Sequence, residues 1–183
     1  MDSNSVKRPA DSLTIMNNLV LPNDTNTLDN LMGGRLLEWM DIAAAIAGQK
    51  HAHTLAVTAA VNNVSFSNPI KLGYVVTLHA KVIRTFKTSM EIHIAVWAAD
   101  HSRNFIYRSN DAFYTFVALD PNGNPTHVPE VAPETDEEQQ FHEEALMRKQ
   151  LKLLMAGKAS VHQTPELKQQ FEAWLSNHEA TEG

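Results

Sequence analysis

The sequence predicts an α+β domain in which an antiparallel sheet wraps one long central helix, with further helices at the C-terminus. Three observations carry this. Residues 31–48, LMGGRLLEWMDIAAAIAG, are apolar around almost the whole circumference of a helix, which demands enclosure by other structure. Residues 54 to about 119 hold runs of strand length rich in Val, Ile, Phe, Tyr and Thr. From Pro133 the pattern changes to charged amphipathic helices. A sheet and a helix with apolar faces bury them against each other, so the layers follow.

In chain order, residues 1–11 read as a flexible tail, and SLTIMNNLVLP (12–22) as a short strand ended by Pro22. NDTNTLDN (23–30) is a polar loop. The helix runs from about Gly33 to Gly48, with His51 and His53 marking its end. Four strands follow in TLAVTAAVNNVSF, YVVTLHAKVIRTF, SMEIHIAVWAAD and FIYRSNDAFYTFVALD, where Met90, Ile92, Ile94 and Val96 alternate with Glu91, His93 and Ala95. Turn signals separate them at SNPIKLG (67–73), FKTS (86–89), DHSRN (100–104) and DPNGNP (120–125). A domain over 12–130 and a helical extension over 131–183 are expected. The extension has one helix at 136–156, with acids in its first turns and bases in its last, and a second at 165–178 capped by Thr164 with Pro165 and Glu166 at its start. Such a sheet leaves an edge, so a paired dimer is expected.

Composition narrows the function. The 183 residues carry a net charge of −6, which argues against a general nucleic-acid or polybasic membrane surface. No apolar run approaches the ~20 residues of a bilayer span, and the polar N-terminus lacks a signal layout, so a soluble, cytoplasmic protein is expected. The absence of cysteine excludes disulfides, thiolate metal sites and cysteine nucleophiles. Nine histidines show no HExxH or comparable spacing, and GxSxG, GxxxxGKS and GxGxxG are all missing, so no metal or nucleotide cofactor is expected.

The chemistry concentrates in the central helix. Gly33 and Gly34 stand where it begins, and without Cβ atoms they admit another molecule to backbone N–H groups that have no intrahelical partner. Such amides, aided by the helix dipole, can hold a developing oxyanion. Asp41 lies seven positions after Gly34, close to two turns and roughly 10 Å away on nearly the same face. One site cannot easily use both, but two such helices running antiparallel across a dimer would bring the amides of one to the carboxylate of the other. Burial of a carboxylate raises its pKa toward that of a general base. Taken alone, Asp41 fits equally a carboxylate held by local donors, the glycine pair a turn into the helix, and Asn26 a loop or cap residue.

The run LPNDTNTLDNLMGGRLLEWMDIAAAIA resembles the signature of hotdog-fold acyl-CoA thioesterases, the branch of the brain-type acyl-CoA hydrolases and their small bacterial relatives. The similarity continues through VNNVSFSNPIKLGYVV, TFKTSMEIHIAVW and FYTFVALDPNGNPTHVP and so spans residues 12 to 130. The resemblance implies hydrolysis of acyl-CoA to fatty acid and CoA, with CoA as part of the substrate and no separate cofactor. Asp41 would be general base or nucleophile, Asn26 would come from another subunit, and Gly33 and Gly34 would polarise the thioester carbonyl. It implies dimers with continuous sheets, and hexamers as trimers of dimers. Arg84, Lys87, Thr88 and Ser89, in VIRTFKTS, match the segment beside the CoA phosphates; by themselves they fit an exposed hairpin with solvated charges equally well. An acyl chain needs an apolar tunnel, for which Trp39, Met40 or the strand holding Phe66 are candidates, although those residues read first as plain core. The chain departs from the pattern at Asp29 and Phe86, where Gly is usual, and at Tyr74, where an acid is usual; Asp tolerates left-handed backbone better than most residues, so the loop at Asp29 is expected to survive.

Two other classes share such a fold. Hydratases need a catalytic His with a carboxylate, and this helix has none near Asp41. An acyl-CoA-binding sensor would need no reactive carboxylate, and fold alone does not separate it from a hydrolase.

Overall fold

The computed structural model describes residues 6–62, 64 and 68–156. Its elements are α1 (Pro9–Ser12), β1 (Thr14–Leu19), a 3₁₀ turn (Pro22–Asp24), α2 (Gly33–Ala52), β2 (Leu55–Asn62), β3 (Val75–Thr85), β4 (Ser89–Asp100), β5 (Phe105–Leu119) and α3 (Asp136–Met155). The chain divides after Gln139, so α3 begins in the first unit and continues into the second. The expected helix at 165–178 and the expected acyl contact at Phe66 lie outside the described residues.

All five strands pair antiparallel in the order β1-β3-β4-β5-β2. The alternation read in β4 is real: Met90, Ile92, Ile94 and Val96 point into the core beside Val76, Leu78, Ala80 and Val82 of β3 and Ala112, Tyr114, Phe116 and Ala118 of β5. Register shifts at Thr58/Ala60, Val82/Arg84 and Val96/Trp97 add local bend. The sheet curls round α2 in the hotdog arrangement. On the helix, Met40, Ala43, Ala44 and Ala47 are fully buried, three of them alanines that let the backbone come close to the sheet.

Two boundaries differ from expectation. The helix passes Gly48 and ends at Ala52, because Gly48 serves a close approach: a Cβ there would sit 3.4 Å from both Ala56 and Ile92. The left-handed C-cap is His53, at φ 54°. The expected flexible tail is also held down among its described residues. Lys7 N–H donates to Glu130 O and Lys7 O accepts from Ala132 N–H, while the buried Ser12 hydroxyl donates to Pro9 O and accepts from Val82 N–H.

Candidate active site

The loop before α2 is organised by two side chains. The Asn26 carboxamide oxygen accepts from Leu28 N–H at 2.9 Å and Asn30 N–H at 3.2 Å, and Asn26 N–H closes the loop onto Asn30 O at 2.8 Å. Asp29 takes φ 54°, the left-handed conformation expected of an Asp in a glycine's place. Backbone bonds from Leu31 to Ile70 and from Leu72 to Asp29 pin the loop to the segment ahead of β3. Asp24, buried, accepts from Leu21 N–H at 3.0 Å and lies 3.1 Å from the Arg35 guanidinium, which fixes the direction in which α2 starts.

That start is bare. Met32 stands at the N-cap without a side-chain cap, and the first bond of the helix is Leu36 N–H to Met32 O at 3.1 Å. The amides of Gly33, Gly34 and Arg35 therefore have no intrahelical acceptor. Around Gly34 nothing lies within 4 Å of where a Cβ would stand. Asn26, Gly33, Leu36, Asn68, Ile70 and Asn110 line an open crevice of about 380 Å³ beside these amides. With its oxygen committed to the loop, Asn26 has its NH₂ group left to donate.

Asp41 sits two turns along α2 and does not line this crevice. It is half-buried rather than enclosed, because the sheet covers one side of α2 and leaves Asp41, Ile42 and Ile46 on the other; both isoleucines are exposed. Thr58, on the edge strand β2, donates its hydroxyl to Asp41 Oδ1 at 2.6 Å. The nearby Tyr114 phenol is pushed up to about 12, first by burial and then by the charge of Asp41, so it stays a neutral neighbour of the carboxylate. Sequence reasoning missed Thr58. Its only signal is a hydroxyl among apolar residues of TLAVTAAV, on a strand that follows the helix directly.

Arg84, Lys87, Thr88 and Ser89 are brought together in the β3–β4 turn, closed by Phe86 N–H to Ser89 O at 2.7 Å. The Arg84 guanidinium lies 5.8 Å over the Phe86 ring, and Lys87 is exposed. Ser89 pairs with Val117, and Val117 with Val57, the neighbour of Thr58. Ser89 is thus two strand spacings, roughly 10 Å, from the rung beside Thr58. One chain therefore unites Asn26 with Gly33 and Gly34, Asp41 with Thr58, and the four turn residues with one another. It leaves the glycine end and the Asp41 station apart along a helix of 20 residues.

Comparison with known proteins decides the family. A profile of the thioesterase superfamily matches residues 28–103. The acyl-CoA thioester hydrolase YkhA of Bacillus subtilis, a protein called uncharacterized, is 36% identical over 138 residues, 75% of this chain and 80% of its own. The chain belongs to the thioesterase superfamily, in its acyl-CoA hydrolase branch. Among solved structures of the superfamily, the acyl-CoA hydrolase of Staphylococcus aureus, crystallised with butyryl coenzyme A, coenzyme A and coenzyme A disulfide, superposes with a TM-score of 0.78 at 32% identity, covering 94% of this chain and 99% of that one. Further structures of it carry an Asp, a Thr or an Asn replaced by Ala. An apo-hexameric acyl-CoA thioesterase gives a TM-score of 0.80 at 35% identity over 83% of this chain and 97% of its own. The acetyl-coenzyme A thioesterase of Mus musculus is 34% identical over 139 residues, and the chain spans 25% of that relative's length. Among the described residues no group of three or more His, Asp or Glu side chains is disposed to hold a metal ion, and no helix is long and apolar enough to cross a membrane.

Proposed function

We propose that this protein hydrolyses acyl-CoA thioesters in a site shared by two subunits, with Asp41 and Thr58 from one and Asn26, Gly33 and Gly34 from its partner. The single observation that carries this is the pair of half-sites on one helix. In the S. aureus hydrolase the altered Asn, Asp and Thr are separated by 15 and 17 positions, and Asn26, Asp41 and Thr58 stand at the same intervals. The surface round Asp41 supports a second copy: Ile42, Ile46, Val57 and Val61 are exposed beside the free edge of β2, an apolar collar that an antiparallel α2 and β2 of the partner would cover. The hexameric relative supports a trimer of such dimers.

In this arrangement the free amides of Gly33 and Gly34 bind the thioester carbonyl oxygen as it gains charge. The Asn26 NH₂ group orients the thioester or the water. Asp41, held by the Thr58 hydroxyl, takes a proton from water as the oxygen adds to the carbonyl carbon. The C–S bond then breaks, and the proton passes to the departing thiolate, leaving fatty acid and CoA. Direct attack by Asp41 would instead give an acyl anhydride that water opens. The Arg84–Ser89 turn is assigned to the CoA phosphates of the same site, on its exposed Lys87 and its match to the family's segment. A cytoplasmic setting, where CoA thioesters are made and consumed, suits this activity.

Asp41→Asn keeps the shape and removes the base. Thiol release from acyl-CoA should fall by about a hundredfold or more with the melting temperature little changed. Mixing Asp41→Asn with Asn26→Ala subunits should restore roughly a quarter of the wild-type activity, because half the dimers then carry one intact site of two. Near-normal turnover by Asp41→Asn would overturn the role of the carboxylate, no recovery on mixing would overturn the shared site, and binding without thiol release by the wild type would mark a sensor.

A further inference from the structure

β5 places two aromatic side chains on its inner face against α2, and they differ by one hydroxyl. Phe116 and Tyr114 are each 1% exposed. A phenylalanine at position 114 would fill the same space without taking a hydroxyl out of water, as Phe116 does one rung along, so the oxygen costs stability unless it is well bonded. Its bonds are poor ones for that purpose. The phenol donates to Leu37 O at 3.5 Å and lies 3.8 Å from Met40 Sδ, both long contacts, and the described residues offer it no other partner.

What the hydroxyl touches is the turn that carries Asp41. In an α-helix the carbonyl of residue 37 receives the amide of residue 41, four positions on, so Leu37 O is the backbone anchor of Asp41. The Tyr114 hydroxyl shares that carbonyl. Asp41 is close enough for its charge to reinforce burial in holding the phenol up at about 12, so the oxygen keeps its hydrogen at neutral pH. Thr58 reaches the same residue from the other end. It pairs with Phe116 while Val61 pairs with Tyr114, so β2 uses three residues for the two-residue step of β5, with Ala59 as the extra one. Such a bulge turns an edge strand locally, and here Thr58 donates to Asp41 Oδ1 at 2.6 Å. Asp41 is thus held twice, its carboxylate from β2 and its backbone from β5.

We propose that Tyr114 is a positioning residue for the hydrolysis: its hydroxyl, bonded at Leu37 O, fixes the height and phase of the Asp41 turn above the sheet, so that the carboxylate points at the partner's amides. This rests on the acyl-CoA reading above and adds to it a residue that touches no substrate atom. The need is specific to Asp41. Half-buried where the cover of the sheet ends, it is not fixed by packing on all sides as Met40 and Ala44 are. A reacting group displaced by about 1 Å loses on the order of a hundredfold in rate. Losing one anchor of two should cost less.

Tyr114→Phe removes the oxygen and keeps the ring. Thiol release from butyryl-CoA should fall about tenfold in kcat with KM within about twofold of wild type, while the melting temperature stays level or rises. In the Asp41→Asn background the same substitution should cost nothing more, because its effect passes through the carboxylate. Apart from turnover, the carboxylate carbon of Asp41, assigned in ¹³C-labelled protein by its absence from Asp41→Asn, should change its NMR shift in Tyr114→Phe. An unchanged kcat would overturn the proposal, as would an equal loss in the Asp41→Asn background or a KM that rises while kcat holds. So would a melting temperature that falls in step with activity, the mark of a hydroxyl that merely supports the fold. If the wild type releases no thiol from any acyl-CoA, the hydrolase reading fails, and the Asp41 resonance still decides whether Tyr114 positions the carboxylate: a resonance that stays in place overturns it.

Discussion

At its carboxyl end α2 is tied at every turn: Lys7 donates to His51 O at 2.5 Å and approaches His53 Nε2 at 2.7 Å, Lys50 donates to Leu13 O at 2.6 Å, and the His51 ring donates to Pro129 O at 2.8 Å. At its amino end the same helix has no side-chain cap and begins with two glycines. Helix ends are ordinarily completed by side chains, because orphan amides and carbonyls lose solvation on folding. A chain that secures one end with two lysines and a histidine and leaves the other to Met32 keeps those amides open, as the proposed oxyanion role requires. The basic residues at the tied end complement the helix dipole, so the asymmetry also leaves the positive pole as the accessible one.

The largest effect should come from removing this asymmetry. Met32→Asp puts an acceptor at the N-cap within reach of the Gly34 and Arg35 amides. It should stabilise the fold by about 1 kcal/mol in urea unfolding while lowering thioester hydrolysis by about a hundredfold, since the carboxylate occupies and repels at the place of the carbonyl oxygen. A gain in both stability and turnover would mean that the amides take no part in the reaction.

The contrast between the two ends also explains what the amino-acid pattern disclosed. The glycine pair and the apolar helix are local in sequence, and both stand where the pattern suggested, with Gly33 as the first residue of α2. The strands of 54–119 were legible because β3 and most of β5 bury one face and alternate accordingly, while β4, buried on both faces, still alternates Met90, Ile92, Ile94 and Val96 with Glu91, His93 and Ala95. The tied end was not legible. Gly48 followed by Lys50 and His51 reads as a helix stop, yet the close approach of Ala56 and Ile92 to Gly48 and the left-handed His53 beyond carry the stop four residues further. Lys7 reaches His51 across 44 positions, and Thr58 reaches Asp41 across 17. Such bonds depend on which strand flanks the helix, and no periodicity records that. Asp41 was expected to be enclosed because its neighbours are apolar on all sides; in one subunit it borders an open apolar collar.

A smaller effect should follow from loosening the tied end. Lys7→Met keeps the aliphatic stem and removes the donor to His51 O. The melting temperature should drop by roughly 2–4 °C, equivalent to about 1 kcal/mol for a chain of this size, and thiol release should stay at the wild-type rate. A comparable loss of activity would mean that the two ends are coupled through the helix, and the bare end would then owe its geometry to the strap at Lys7.

The smallest effect concerns protons at the same end. His51 is 1% exposed; its Nε2–H donates to Pro129 O, and its Nδ1 has no hydrogen-bond partner among the described residues. Burial, chiefly, holds its pKa below the ordinary 6.5, with Lys7 and His53 acting in the same direction against the Pro129 bond and the more distant Asp11 charge. The unfolded chain therefore binds a proton at a pH where the folded one does not. The stabilisation is complete above about 6.5 and declines as pH falls toward the lower folded value, since the buried ring must stay neutral. Melting curves taken from pH 7.5 down to 5.5 should fall for the wild type and fall less steeply for His51→Gln, which keeps an N–H for Pro129 O but has nothing to titrate. Parallel curves would mean that the ring accepts its second proton without loss, through a relaxation of Lys7 and His53 that relieves the crowding of cations at the end of α2.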